Sequence, residues 1–123
     1  MNLVDSCGWL EYFADGRNAP FFSKPIEDVG RLLVPTICIF EVFKRVFQQR
    51  GESAALHAIA NMQQGRVATL DTATALTAAR ISADMKLPMA DSIILATARM
   101  HGAVVWTQDA HFDGLPGVQY RGR

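Results

Sequence analysis

The feature that most constrains this chain is an alternation between short apolar runs and longer stretches with helical spacing. "MNLVD", "RLLVP", "RVATL" and "AVVWTQD" read as strands, with "GLPGVQYR" as a short last one. Between them lie segments whose apolar residues recur every three or four positions. Strands alternating with helices cannot close a sheet through tight hairpins. Each strand must return to the same edge, so the implied architecture is a three-layer α/β/α sandwich with a mostly parallel central sheet. At 123 residues the chain is long enough to bury a core and is expected to form a single domain, 1–123.

The helical stretches carry recognisable ends. "SCGWLEYFADG" sets Trp9, Leu10 and Phe13 at helical spacing and stops at Gly16. "PFFSKPIEDVGRL" is a second amphipathic helix whose bounds Pro25 blurs. "TICIFEVFKRVFQQRG" has Thr36 as an expected N-cap and Gly51 as a terminator, and Phe40, Phe43 and Phe47 share one face, expected to be core. "ESAALHAIANMQQG" is rich in helix formers, Asp71 is placed to cap "TATALTAARISADMK", and "ADSIILATARMHG" closes at Gly102.

Composition removes several classes. Half the residues are hydrophobic, a globular balance, while runs such as "SIILATA" fall well short of the roughly 20 residues a membrane span needs. "MNLVDS" lacks the basic and apolar regions of a signal peptide, so a cytoplasmic protein with no membrane association is expected. Cys7 and Cys38 are expected to be buried, reduced thiols, and their spacing makes no zinc site. Formal net charge is zero, which does not announce a nucleic-acid binder. The balance conceals an asymmetry if four acids gather at one place, because eight acids then face twelve Lys and Arg over the rest of the surface.

Four acids do sit where a parallel sheet would gather them. Asp5 ends the first strand and Asp109 ends the "VVWT" strand; Glu41 follows the second strand within two turns of its helix, and Asp91 opens the apolar helix "ADSIIL". Each alone has a structural explanation: Asp5, Asp91 and Asp109 suit caps or turns, and Glu41 suits a helix dipole or a pair with Arg45. Jointly they border one rim, the carboxyl edge at which such sheets bind ligands. Gathered carboxylates repel unless a cation joins them, and oxygen donors without Cys or paired His favour Mg²⁺ or Mn²⁺ over zinc. Such an ion suits hydrolysis of a phosphodiester.

The four segments "VDS", "PTICIFEV", "MADSIILATAR" and "VVWTQDAHF", in this order, resemble the PIN domain and, more narrowly, the VapC ribonuclease toxins of type II toxin–antitoxin modules. The likeness spans essentially the whole chain. It implies a PIN-like fold and a metal-dependent endoribonuclease, with Asp5, Glu41, Asp91 and Asp109 holding Mg²⁺ or Mn²⁺, Thr107 supporting the last acid and Ser6 beside the first. It also implies an RNA substrate, transfer or ribosomal, a cognate antitoxin seated partly on the aromatic region of Trp9, Tyr12, Phe13, Phe21 and Phe22, and a homodimer. Asp113 stays outside the core set, and the helix from Pro20 to Leu33 is less typical of the family.

Other polar residues have plainer readings. His57 reads as a packed or surface histidine, His101 as a helix-end histidine, and His111 lies near the site without a role. Lys44, Arg45 and Arg50 suit phosphate contacts and a solvated helix face equally. A catalytically silent scaffold acting through a protein partner is the alternative function; the intact acids do not favour it. A phosphoacceptor receiver or a haloacid-dehalogenase-type phosphatase would need further paired acids that "DSC" and "TQD" do not supply.

Overall fold

The computed structural model describes residues 1–123. Five strands, β1 (Asn2–Val4), β2 (Leu32–Pro35), β3 (Arg66–Ala68), β4 (Val104–Thr107) and β5 (Val118–Tyr120), alternate with six helices. These are α1 (Ser6–Phe13), α2 (Ala19–Glu27), α3 (Thr36–Arg50), α4 (Glu52–Met62), α5 (Thr72–Met85) and α6 (Met89–Met100). Two single 3-10 turns, Val29–Arg31 and Ala110–Phe112, complete the path. The five apolar runs are the five strands, and the architecture is the expected α/β/α sandwich.

The sheet is parallel throughout, in the order β3-β2-β1-β4-β5. The chain steps outward from β1 to β2 and β3, then returns across the sheet to place β4 on the free side of β1. That reversal is a topological switch, and it opens a crevice between the loops that leave β1 and β4. Val4 pairs with Trp106, and the Asp5 N–H donates to the Trp106 carbonyl at 3.0 Å, so Asp5 and the Thr107–Asp109 segment leave the sheet side by side.

Leu3, Val4, Leu33, Val34 and Val105 are wholly buried and form the sheet's part of the core. Helix α6 is buried at every position from Asp91 to Ala98 because neighbours surround it; of these, Asp91, Ser92 and Thr97 are polar. Helices α1 and α2 pack closely enough that Gly8 is required: a Cβ there would lie 2.6 Å from the Phe22 ring and 2.7 Å from Val4. The Phe21 ring stands 5.0 Å from that of Trp106 and ties α2 to β4. Asp71 caps α5 as expected, accepting from Thr74 N at 2.8 Å, and Gly51 ends α3 with φ +88°.

Four expectations change. Thr36 begins α3 but does not cap it; Pro35 holds the cap position with no side-chain bond. Pro25 lies inside α2, which ends two residues later. Of the Phe40, Phe43 and Phe47 stripe, only Phe43 packs against the core, half-buried. Phe40 is 62% exposed and Phe47 49%, while Cys38, Val42 and Val46 supply the buried face of α3. At 100° per residue these two stripes centre about 130° apart on one helix, and only one of them meets the sheet squarely. Conversely Trp9, Phe21 and Phe22, expected as partner surface, are buried, with Trp9 and Phe22 fully enclosed.

Candidate active site

The four predicted acids converge. Asp5, Glu41, Asp91 and Asp109 all line one open cleft at the carboxyl edge of the sheet, a volume of about 1160 Å³. That exceeds the range of about 300–1,000 Å³ usual for small-molecule pockets and leaves room for a polymer. Four separate elements deliver them: the end of β1, the second turn of α3, the first turn of α6 and the end of β4.

Asp5 is 4% exposed and held by three donors. Its Oδ1 accepts from Ser6 N at 2.7 Å; its Oδ2 accepts from Thr107 Oγ1 at 2.8 Å and from Cys7 Sγ at 3.3 Å. Burial pushes its pKa up to about 6, partly opposed by the Thr107 and Cys7 bonds and reinforced by the charge of Asp91. Cys7, also half-buried beside this carboxylate, is pushed up to about 12, chiefly by burial and then by Asp5. It is therefore a neutral donor and a poor nucleophile.

The supporting pair takes shape around these acids. Ser6 Oγ donates to Glu41 Oε1 at 2.6 Å, linking the first acid's loop to the second acid. Thr107 Oγ1, fully buried, donates to Asp5 and accepts from Asp109 N at 2.9 Å, so one hydroxyl positions both strand-end acids. Glu41 does not pair with Arg45; its recorded partner is Ser6. Behind the loop, Asn18 Nδ2 donates to Gln108 Oε1 at 3.0 Å and to the Gly122 carbonyl at 3.2 Å, bracing the segment between Thr107 and Asp109.

The cap explanation also holds for Asp5 and Asp109 but not for Asp91, since Pro88 takes the cap position of α6. Asp5 caps α1, and Asp109 Oδ1 accepts from His111 N at 3.0 Å at the head of the 3-10 turn. A cap and a site are compatible here because each carboxylate has oxygen lone pairs left over.

The residue that sequence reasoning left aside is His111. Its Nδ1 lies 2.8 Å from Asp91 Oδ2 and 3.4 Å from Asp109 Oδ1. The hydrogen bond to Asp91, then the charge of Asp109, raise the imidazole's pKa; burial raises that of Asp91, with His111 acting against it. The one available signal was position: two residues past a strand-end acid, at the start of a turn. Its link to Asp91, twenty residues away, was not legible. His101 has the structural role expected of it, with Nδ1 2.9 Å from the Thr97 carbonyl at the end of α6, and His57 is an exposed residue on the cleft wall. Asp113 is exposed and outside the cleft lining.

These donors fit a hard divalent cation. Two carboxyl groups already carry raised pKa values because burial and mutual repulsion disfavour their charges, and Asp91, Asp109 and His111 present ligand atoms all within 4.8 Å of one another. Lys44, Arg45, Arg50 and Arg123 line the same cleft, and none is within ion-pair distance of an acid.

An all-parallel sheet with carboxylates gathered at its switch point, in an open cleft also lined by unpaired cations, defines a class of acidic-site α/β domains. The family model for the PIN domain matches residues 3–118, and the chain belongs to that family. No curated protein matches the sequence significantly. Among solved structures, the fold resembles a toxin–antitoxin complex from Klebsiella pneumoniae at 22% identity, TM-score 0.81, covering 97% of this chain and 96% of that one. A DNA-bound VapBC from Salmonella typhimurium matches at 17% identity and TM-score 0.75, over 99% and 98% of the two chains. The Mycobacterium tuberculosis toxin VapC20, described as cleaving the sarcin–ricin loop, matches at 15% identity and TM-score 0.73, over 93% and 95%. At these identities the likeness is one of fold.

Proposed function

We propose that this PIN-domain protein is a Mg²⁺- or Mn²⁺-dependent endoribonuclease acting as the toxin of a toxin–antitoxin pair. The observation that carries the reading is the meeting of Asp5, Glu41, Asp91 and Asp109, far apart in the chain, in one cleft. The resemblance in fold to VapBC complexes and to a toxin described as cutting an RNA loop supports the substrate class and the partner.

In this reading the four carboxylates hold the ion. When bound, a divalent cation supplies Lewis acidity toward a phosphoryl oxygen and lowers the pKa of water. The chain's own residues do the rest. Lys44, Arg45, Arg50 and Arg123 take the backbone phosphates of RNA on either side of the scissile bond, without discriminating sequence. The Ser6 hydroxyl keeps the Glu41 carboxylate turned into the cleft, and Thr107 fixes Asp5 and the backbone of Asp109. The cleft is open to solvent and admits an unpaired RNA loop, whose bases are free of a helical stack.

The antitoxin is assigned to the exposed Phe40 and Phe47, with Leu56, 54% exposed, on the neighbouring helix; Phe40 also lines the cleft. A patch of this kind beside a site suits a partner that covers it. The same reading includes a cytoplasmic homodimer, measurable by light scattering.

RNA cleavage with Mg²⁺ or Mn²⁺, with EDTA and with Asp91→Asn tests the mechanism. Cleavage is expected with the metal, abolished by chelation and reduced at least ~100-fold in the variant, a loss on the order of 3 kcal/mol of transition-state stabilisation. Activity that persists in both EDTA and Asp91→Asn ends the proposal.

A further inference from the structure

Two of the four acids, Asp91 and Asp109, share one nitrogen donor, His111, whose placement bears on which ion they hold. His111 is carried on the 3-10 turn Ala110–Phe112, which is pinned at both ends: Asp109 Oδ1 accepts the His111 N–H, and Phe112 is fully buried. The ring itself is not a packing element, since the side chain is 55% exposed. What it meets is the pair of carboxylates, with Nδ1 2.8 Å from Asp91 Oδ2 and 3.4 Å from Asp109 Oδ1.

Those separations have a second meaning. An octahedral ion with bonds of about 2.1 Å sets neighbouring donor atoms about 3.0 Å apart. The two distances straddle that value, and the three donor atoms fall within 4.8 Å of one another, the spread of ligands on one ion. Without an ion, Nδ1 hydrogen-bonds to Asp91 Oδ2, and Asp109 Oδ1 accepts from the His111 backbone N–H.

The inference rests on the reading of the cleft as a metal site. We propose that His111 Nδ1 is a direct metal ligand alongside Asp91 and Asp109, and that it biases the cleft toward Mn²⁺ and similar transition ions over Mg²⁺. The chemical reason is donor type. Mg²⁺ takes oxygen ligands and keeps several waters, whereas imidazole nitrogen suits first-row transition ions. A site of four carboxylates alone would show less of that bias.

The test uses the full chain with Mn²⁺ alone as probe. Pulsed electron paramagnetic resonance detects a ¹⁴N nucleus bonded to Mn²⁺, and calorimetry gives Mn²⁺ and Mg²⁺ affinities. Wild type is expected to show nitrogen coupling and His111→Ala to lose it, with Mn²⁺ affinity falling roughly 10-fold or more and Mg²⁺ affinity changing less than about 3-fold. His57→Ala, which removes the imidazole on the cleft wall, is expected to keep the coupling. Unchanged melting temperatures verify that the variants are folded. Mn²⁺ bound to wild type without nitrogen coupling, or coupling that survives His111→Ala, overturns the proposal while leaving the metal site standing. Failure of wild type to bind Mn²⁺ at all overturns the metal reading and this inference together.

Discussion

Asp5 and Asp109 end neighbouring parallel strands and share the hydroxyl of Thr107, yet the two sides of the cleft hold their acids by opposite means. Asp5 is 4% exposed, locked by Ser6, Cys7 and Thr107, and its charge is opposed by burial. The Asp109 side chain is 32% exposed and shares an imidazole with Asp91. One side is rigid and strained electrostatically; the other is wet and already paired with a cation-forming group. The difference suggests a division of labour: the buried side fixes geometry, and the open side admits and releases what binds.

Several experiments would break or sharpen this contrast. The largest expected effect is in pH dependence. The folded-state pKa of Asp5, about 6, lies above its ordinary 3.8. Between those values the folded protein binds the extra proton, so Asp5's contribution to stability is full below about pH 4 and is lost as pH rises through 6, about 3 kcal/mol in all. In metal-free protein, urea unfolding at pH 4.5 and pH 7 is expected to show about 2 kcal/mol of that loss in wild type and not in Asp5→Asn. Equal pH slopes for the two proteins would remove the strain from the buried side.

A smaller effect is expected from Thr107→Val. It deletes a donor to Asp5 and the acceptor of Asp109 N in a fully buried position. Stability should fall by about 1–3 kcal/mol, read as a lower urea midpoint at unchanged slope. The smallest belongs to the open side. His111→Ala should leave the melting temperature within a degree or two, because surface pairs contribute little. A loss there as large as that of Thr107→Val would erase the distinction between the two sides.

Much of this was legible before any coordinates, for identifiable reasons. The strands were readable because parallel strands buried on both faces become plain apolar runs, as "LLVP" is. The acids were readable because strand ends in such a sheet share an edge, which fixed the positions of Asp5 and Asp109 without knowledge of any side chain. The orientation of α3 was not. Its sequence carries two apolar stripes, and choosing between Val42 and Phe43 as core requires knowing what lies above the sheet. The fate of Trp9 and Phe22 was obscured for the same reason, since Gly8 is what lets α2 approach closely enough to bury them. His111 was hidden because its partner Asp91 comes from a distant helix, and single-sequence spacing does not report such meetings.

The burial of α6 along its whole Asp91–Ala98 stretch carries a dynamic consequence. An acid rooted in the first turn of an enclosed helix is tied to the most slowly exchanging part of a fold, where amide protons escape only when the whole domain opens. Hydrogen–deuterium exchange should therefore find the backbone just beyond Asp91 among the last to label, while the turn bearing His111 labels early. The cleft would then join a clock that hardly moves to one that runs fast, a few ångströms apart.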